Sequence, residues 1–262
     1  MDFESNKRIS ALVITLNEEI HMSELLNNLD FVNEIIIVDS YSKDKTQEIS
    51  ESFLKVKFVQ HPFENYAAQR NFAISLATNP WIIFLDADER LTSKLKQEIL
   101  ETVKNPKAKD AYYFFRKFMF MKKPLFFSGW QTDKNIRLFK TGKAKYKSTK
   151  LVHEKLEVNG SVGKLKNKLI HYSFTDYESY KQKMICYGKL KAKELFLKET
   201  KPNVFHFIIK PTYKFLHSYF IRLGILDGKK GVVICYLNAL SVYTRYPELK
   251  KLHKNNPTFF KI

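Results

Sequence analysis

Cysteine is scarce in this chain of 262 residues, which has only Cys186 and Cys235. They are far apart, with no CxxC and no Cys/His cluster. That argues against a disulfide framework and against a structural zinc site, and fits a reducing cytosol. Glycine and proline are also few, eight of each against 22 Phe and 14 Tyr, so the composition is that of a folded globular protein. No GxGxxG or GxxxxGK[ST] follows any predicted strand, so a nucleotide bound here would need its phosphates neutralised by something other than a glycine loop. No uninterrupted run of about 18 apolar residues occurs, so no membrane span is expected. The nearest, GVVICYLNALSVYT at 231–244, contains Asn238. The first residues, MDFESNKRIS, are polar and mixed in charge and lack the apolar core of a signal peptide. Acidic residues are outnumbered, 27 against 45 Lys and Arg, for a net charge of +18. Such a surface attracts nucleic acid, anionic headgroups or phosphorylated substrates, without choosing among them.

What is present begins with a regular alternation. ISALVIT (9–15), NEIIIVDS (33–40), VKFVQH (56–61) and WIIFLD (81–86) are short apolar runs rich in β-branched residues, which predicts buried strands. Between and after them, 17–29, 42–54, 65–77 and 92–103 have helical spacing. Ile20, Leu25, Leu26 and Leu29 are placed on one face of the first helix. Ser42 or Asp44 is expected to cap the second, and Thr92 or Ser93 the fourth. Apolar strands separated by helices predict βαβ units and a mostly parallel sheet covered on both faces. Past residue 105 the pattern changes to longer strands at 110–123 and 135–142 and an edge strand or hairpin at 160–173. From about 176 the chain reads as helices at 176–199, 204–223 and 228–246. No internal repeat or low-complexity tract is visible.

In parallel α/β sheets, ligands bind beyond the carboxyl ends of the strands. Three predicted strands end in polar residues: Thr15, Asn17, Glu18 and Glu19; Asp39 and Ser40; and Asp86, Asp88 and Glu89. The stretch IIFLDADER (82–90) runs from apolar residues straight into three carboxylates. In an extended segment residues i and i+2 point the same way, so Asp86-Ala87-Asp88 can present two carboxylates together, one for a divalent cation and one for a sugar hydroxyl. Magnesium and manganese prefer such oxygen donors and commonly share them with substrate phosphates. A solvated strand-to-helix turn explains an isolated DxD equally well.

The segments ALVITLNEE, EIIIVDSYSKDKT, AAQRNFAISLATNPWIIFLDADE and VHEKL, in this order, resemble the family 2 inverting glycosyltransferases. Within them the chain looks like the bacterial lipopolysaccharide core β-glucosyltransferase group. The resemblance spans roughly 8–246 and includes the RLFK strand and the RLGILDGKKG segment. It implies an α/β GT-A fold, Rossmann-like with a mostly parallel central sheet flanked by helices, and a helical C-terminal extension. The expected division is a catalytic domain at 1–173 (nucleotide-sugar half about 8–105, acceptor half about 106–173) and a basic amphipathic helical extension at 174–262.

The resemblance also implies roles. Thr15, Asn17 and Glu18 line the nucleotide site, and Asp39 accepts a hydrogen bond from the uracil N–H. Arg70 lies near the nucleotide and diphosphate. Asp86, with Ala87, lies near the ribose, and Asp88 ligates Mg2+ or Mn2+ at the diphosphate. Inverting transfer needs a base on the acceptor side. Glu154 of VHEKL matches the position of the family's acidic base motif, with Asp133 as a competitor, and His153 is a candidate metal or phosphate ligand. The VHE motif departs from the more common Glu-Asp pair, which leaves the roles of His153 and Glu154 open. In GWQTDKNIRLF (129–139), Trp130 is a candidate stacking platform for an acceptor sugar and Arg137 a candidate partner for a carboxylate or phosphate. His171 is either a diphosphate neighbour or a structural histidine.

The segment FHFIIKPTYKFLHSYFIRLG mixes aromatics, aliphatics and cations. It reads as an amphipathic helix packed on the protein, as a membrane-surface helix, or as both. Asp227, in a turn with Gly224, Gly228 and Gly231, reads as a cap rather than a catalyst. The expected enzyme is a metal-dependent inverting transferase that moves a hexose, glucose from UDP-glucose, onto a sugar of a lipid-linked acceptor such as the lipopolysaccharide inner core. It would work in the cytoplasm, peripheral to the inner face of the membrane, with an anionic membrane surface and no nucleic acid as partner. The alternatives are another acceptor (a polyisoprenyl phosphate, a capsular sugar or a peptide) and a non-catalytic basic module that binds membrane or nucleic acid.

Overall fold

The computed structural model describes residues 8–121, 123–147, 155–174 and 176–255. Over these residues the chain forms two compact units. The first runs to Arg116 and resumes from Lys134 to His171; the second takes Lys117–Asp133 and the chain from Tyr172 on. The 117–133 excursion is thus grouped with the C-terminal helices rather than with the rest of 1–173.

In the first unit β1 (Ile9–Thr15), β2 (Glu34–Asp39), β3 (Val56–Gln60) and β4 (Trp81–Leu85) are parallel neighbours in the order β3-β2-β1-β4. The central three are buried along nearly their whole length, whereas β3, at the edge, is mostly half-buried. Successive side chains alternate between faces. Ala11, Val13, Ile37 and Ile83 join one core with Leu25 and Leu26 of α1 (Glu19–Asn28) and Leu95 and Ile99 of α4 (Ser93–Lys104). Leu12, Ile36, Ile82 and Phe84 join a second core with Ala67 and Ala73 of α3 (Tyr66–Ser75). Removing one such side chain, as in Ile83→Ala, costs about 2–5 kcal/mol.

Beyond β4 the sheet turns mixed. β5 (Glu89–Arg90), β6 (Ala111–Phe120), β8 (Lys134–Lys140) and β11 (Val162–Phe174) continue it in the order β4-β8-β6-β11-β5. β8 is antiparallel to both β4 and β6. β9 (Ala144–Lys147) and β10 (Lys155–Val158) form a separate antiparallel pair that the sequence pattern does not signal.

Two local expectations change. Ile20 is 83% exposed; the buried stripe of α1 is Met22, Leu25 and Leu26, because Ile20 is out of phase with it. α2 (Thr46–Glu51) starts later than 42 and has no side-chain cap at Lys45, although Asp44 does accept from the Thr46 amide at 3.0 Å. The Ser42 hydroxyl serves Asp39 instead. Thr92 caps α4 by accepting from the Leu95 amide.

The second unit holds β7 (Lys123–Leu125), paired with the far end of β6, and α5 (Tyr177–Leu197), α6 (Val204–Leu216) and α7 (Lys229–Asn255). Asp176 caps α5, and Asn203 and His206 form a reciprocal capping box on α6. A π-helical turn (His217–Ile221) and a 3-10 turn (Gly224–Asp227) lead into α7. Gly231 is required there: a Cβ would sit 1.8 Å from the Gly224 carbonyl oxygen. Asp227 does cap, but a loop rather than a helix. Its carboxylate accepts from the Phe126 and Phe127 amides and the Ser128 hydroxyl, each at 3.0 Å. Among the described residues no helix is long and apolar enough to cross a membrane.

Candidate active site

The strand order places the carboxyl ends of β2, β1 and β4 side by side, and β1 is where the chain's order reverses. This is the position at which open α/β sheets bind ligands. Thr15 pairs in register with Asp39, so these two stand at one rim, with Asp86 one residue beyond β4.

The nucleotide-side candidates form a hydrogen-bonded rim. Asp39 is fully buried; Oδ2 accepts from the Ser42 amide at 2.9 Å and Oδ1 from its hydroxyl at 2.5 Å. Ser42 Oγ in turn accepts from the Asn17 amide at 2.8 Å, and Asn17 Oδ1 accepts from the Lys43 amide at 2.7 Å. Asn17 and Tyr41 both take positive φ, 56° and 62°, a strained region for residues with a Cβ. The Glu18 amide donates to Thr46 Oγ1. Thr15 Oγ1 is buried with no hydrogen-bond partner among the described residues.

Asp86 is held from two sides. Arg70, on the first turns of α3, donates to Oδ1 at 3.0 Å, and Arg137, on β8, donates to Oδ2. Arg137 reaches because β8 runs antiparallel beside β4, with Leu138 opposite Ile83. Burial would raise the Asp86 carboxyl; Arg137 and Arg70 outweigh it and hold the group well below the usual carboxylate range. Arg70 also lies over the rings of Phe84 and Tyr146, 5.1 and 5.2 Å from their centroids, a packing that suits a planar guanidinium. Arg137 is almost wholly buried and also donates to Glu89 Oε1 at 2.6 Å. Its charge is thereby engaged with two carboxylates, the kind of partner expected for it, while the side chain also lines the cavity beside Asp86.

Glu89 is the residue that sequence reasoning leaves without a role, and it is fully buried. Oε2 accepts from the Asp86 amide at 3.0 Å, and the Glu89 amide donates back to the Asp86 carbonyl at 3.0 Å. Its carboxylate therefore closes the DADE turn and carries Arg137. Burial pushes the Glu89 carboxyl up, Arg137 pulls it back, and Asp86 adds repulsion; the balance is upward. Arg90 points elsewhere, to the carbonyls of Ala87 and His21.

Asp88 meets His171. The β5–β11 pairing sets His171 opposite Glu89, and His171 Nε2 lies 3.1 Å from Asp88 Oδ2. Arg116 Nη1 lies 3.4 Å from His171 Nδ1. Arginine has only donors, so Nδ1 accepts and Nε2 carries the proton given to Asp88. Among the described residues no three His, Cys, Asp or Glu side chains converge as a metal cage. Asp88, a carboxylate steadied by an imidazole, is the donor set that a cation sharing substrate phosphate oxygens and water would use. A divalent cation fits on those terms.

A cavity of about 190 Å3 opens beside Asp86, lined by Arg70, Arg137, Tyr113, Tyr146, Lys155 and Leu156, among others. Asn71 fixes its outer wall: its side-chain amide donates to the Tyr146 carbonyl at 2.8 Å and accepts from the Tyr146 N–H at 2.9 Å. His153 and Glu154 lie outside the described residues. Lys155, the next in chain, lines this cavity. Trp130 and Asp133 belong to the second unit, where the Trp130 ring rests on Phe118 at 4.1 Å.

A sheet of this topology, with carboxylates at the ends of β2 and β4, defines a GT-A fold, and the comparisons agree. The Glycosyl transferase family 2 profile matches residues 10–154; the chain belongs to this family and is a glycosyltransferase. It is 28% identical over 91% of its length to a lipopolysaccharide core biosynthesis glycosyltransferase, LpsC, of Rhizobium meliloti, covering 93% of that protein. To an uncharacterized glycosyltransferase of Rickettsia bellii it is 30% identical, over 94% of this chain and 87% of the relative. Among solved structures, S. aureus TarS 1–349 in complex with UDP superposes with a TM-score of 0.50 at 16% identity, covering 95% of this chain and 92% of that one. At that identity the likeness is one of fold.

Proposed function

We propose that this glycosyltransferase moves a hexose, glucose from UDP-glucose, with inversion, onto a sugar of a lipid-linked acceptor such as the lipopolysaccharide inner core. The observation that carries the donor side is the placing of Asp39, Asp86 and Asp88 at the ends of strands flanking the switch point. The acceptor class rests on the similarity to LpsC along nearly the whole chain.

In this reading Asp39 accepts the uracil N–H with a lone pair not used by Ser42, on a rim built by Thr15, Asn17 and Glu18. Asp86, steadied by Arg70 and Arg137, receives a ribose hydroxyl. Asp88, oriented by His171, would hold Mg2+ or Mn2+. The cation, when bound, supplies positive charge to the departing diphosphate. Glu154 takes the proton of the acceptor hydroxyl as its oxygen attacks the anomeric carbon from the face opposite the diphosphate. Its neighbour Lys155 on the Asp86 cavity supports that choice over Asp133. Trp130, whose ring rests on Phe118 within the second unit, is the stacking platform in this reading for the acceptor sugar. A lipid-borne acceptor places the enzyme at the inner, anionic face of the cytoplasmic membrane.

The test is slow donor hydrolysis by the purified chain across UDP-glucose, UDP-galactose, UDP-GlcNAc and GDP-mannose, with and without Mn2+. UDP-glucose should turn over, only with metal, and Asp88→Ala should abolish it. Near wild-type turnover in that variant would overturn the reading.

A further inference from the structure

α6 is amphipathic the wrong way round for a packed helix. None of its residues is buried. Phe207 packs on the core formed by Ala192, Phe196, Val242 and Tyr246. His206 lies against Tyr246 at 4.9 Å between ring centroids, and Lys210 sits over the same ring at 5.5 Å. The exposed surface of the helix carries Val204, Phe205, Ile208, Ile209, Tyr213 and Leu216. Val204 is 75% accessible, Tyr213 65% and Ile208 60%. Phe220 and Ile221 of the following turn continue the patch, Ile221 at 71%. A contiguous apolar surface of this kind marks an interaction site.

Charge identifies the occupant. Residues 200–226 contain Lys201, Lys210, Lys214 and Arg222 and no Asp or Glu. At the start of α6 a cavity of about 600 Å3 is lined by Lys201, Lys250 and His253 together with Pro202, Val204 and Phe207. A second copy of this chain would bring the same cations face to face and be repelled. An anionic lipid surface satisfies both halves, with headgroups on the exposed Lys201, Lys214 and Lys250 and acyl chains against the apolar residues.

We propose that the outward face of α6 and the turn after it seat this enzyme in the plane of an anionic membrane surface, without a span. This deepens the reading of a lipid-borne acceptor, and its biological sense rests on that reading.

The test is co-sedimentation of the full chain with vesicles of phosphatidylglycerol and phosphatidylethanolamine, with phosphatidylcholine vesicles as the comparison. Binding should favour the anionic vesicles and weaken with salt. Phe205→Glu/Ile208→Glu, confirmed folded by circular dichroism, should lower the bound fraction at least tenfold. Lys201→Gln/Lys214→Gln should lower it on anionic vesicles. No anionic preference in the wild type, or equal binding by the Glu variant, overturns the proposal. So does a wild-type dimer in sedimentation velocity that the Glu variant disperses. UDP-sugar hydrolysis measured without vesicles stays unchanged in the Glu variant if the face only docks. Its absence from the wild type would overturn the donor assignment and leave the vesicle result standing, so the two readings fail separately.

Discussion

His171 Nε2 lies 3.1 Å from Asp88 Oδ2, across 83 residues of chain. The β5–β11 pairing creates this contact, and Arg116 on the other ring nitrogen fixes which tautomer makes it. An imidazole that orients a metal-binding carboxylate contributes roughly 10–100-fold to metal affinity or activity. His171→Ala should therefore raise the Mn2+ concentration for half-maximal donor hydrolysis by about that factor. His171→Gln, which keeps a donor, should recover part of it. An unchanged Mn2+ titration in the Ala variant would remove His171 from the site.

Arg137 is the common partner of two carboxylates, one of them fully buried. Removing one member of such a cluster strands the others, which costs about 3–5 kcal/mol. Arg137→Met should lose stability of that order in urea denaturation. Arg137→Met/Glu89→Gln should be the more stable of the two variants, because the buried Glu89 charge goes as well. Additive losses would mean that the cluster is not energetically coupled.

The same cluster sets opposite pH slopes. Glu89 has its folded-state pKa raised above the ordinary 4.5, so the folded state binds the extra proton between those two values. Stability from Glu89 is full below about 4.5 and falls as pH rises through the raised value. Asp86 is lowered from 3.8, so its contribution is full above that and is lost as pH falls. Thermal melts of Glu89→Gln should lack the decline on the rising-pH side. Asp86→Asn should lack part of the loss on the acid side. Parallel curves for wild type and Glu89→Gln would show that Glu89 titrates normally.

Glu154 and Asp133 compete for the role of base. Glu154→Gln should cut transfer to a lipid-linked acceptor at least a hundredfold, within the usual range for a lost general base, and leave UDP binding intact by calorimetry. Asp133→Asn should change transfer less than tenfold. The reverse pattern would move the base to Asp133.

The four parallel strands were legible because each is a short apolar run bounded by polar residues, and burial on both faces leaves no alternation to confuse them. Thr92 was legible as a cap for an equally local reason. The rim carboxylates followed from where those strands stop. Arg137 was legible as a partner for a carboxylate but not as a buried one, because only the β4–β8 register carries it beside Asp86 and Glu89. Glu89 failed similarly, since a third carboxylate in a row looks solvated until its partners are known. AKYK and KLEV, each four residues with lysines, are too short and too charged to read as paired strands. The spacing of α6 showed an apolar side but could not tell which side faced out.

The two hydrogen bonds between Asn71 and Tyr146 have a further consequence. The side-chain amide offers β9 the donor and acceptor that a neighbouring strand would offer. A two-stranded pair has no inner strand, and open edges invite pairing with other chains. Asn71 occupies the middle of that edge from a helix, and lysines flank Tyr146 on either side. The wall of the cavity is thereby guarded against edge-to-edge aggregation by one residue that belongs to no sheet.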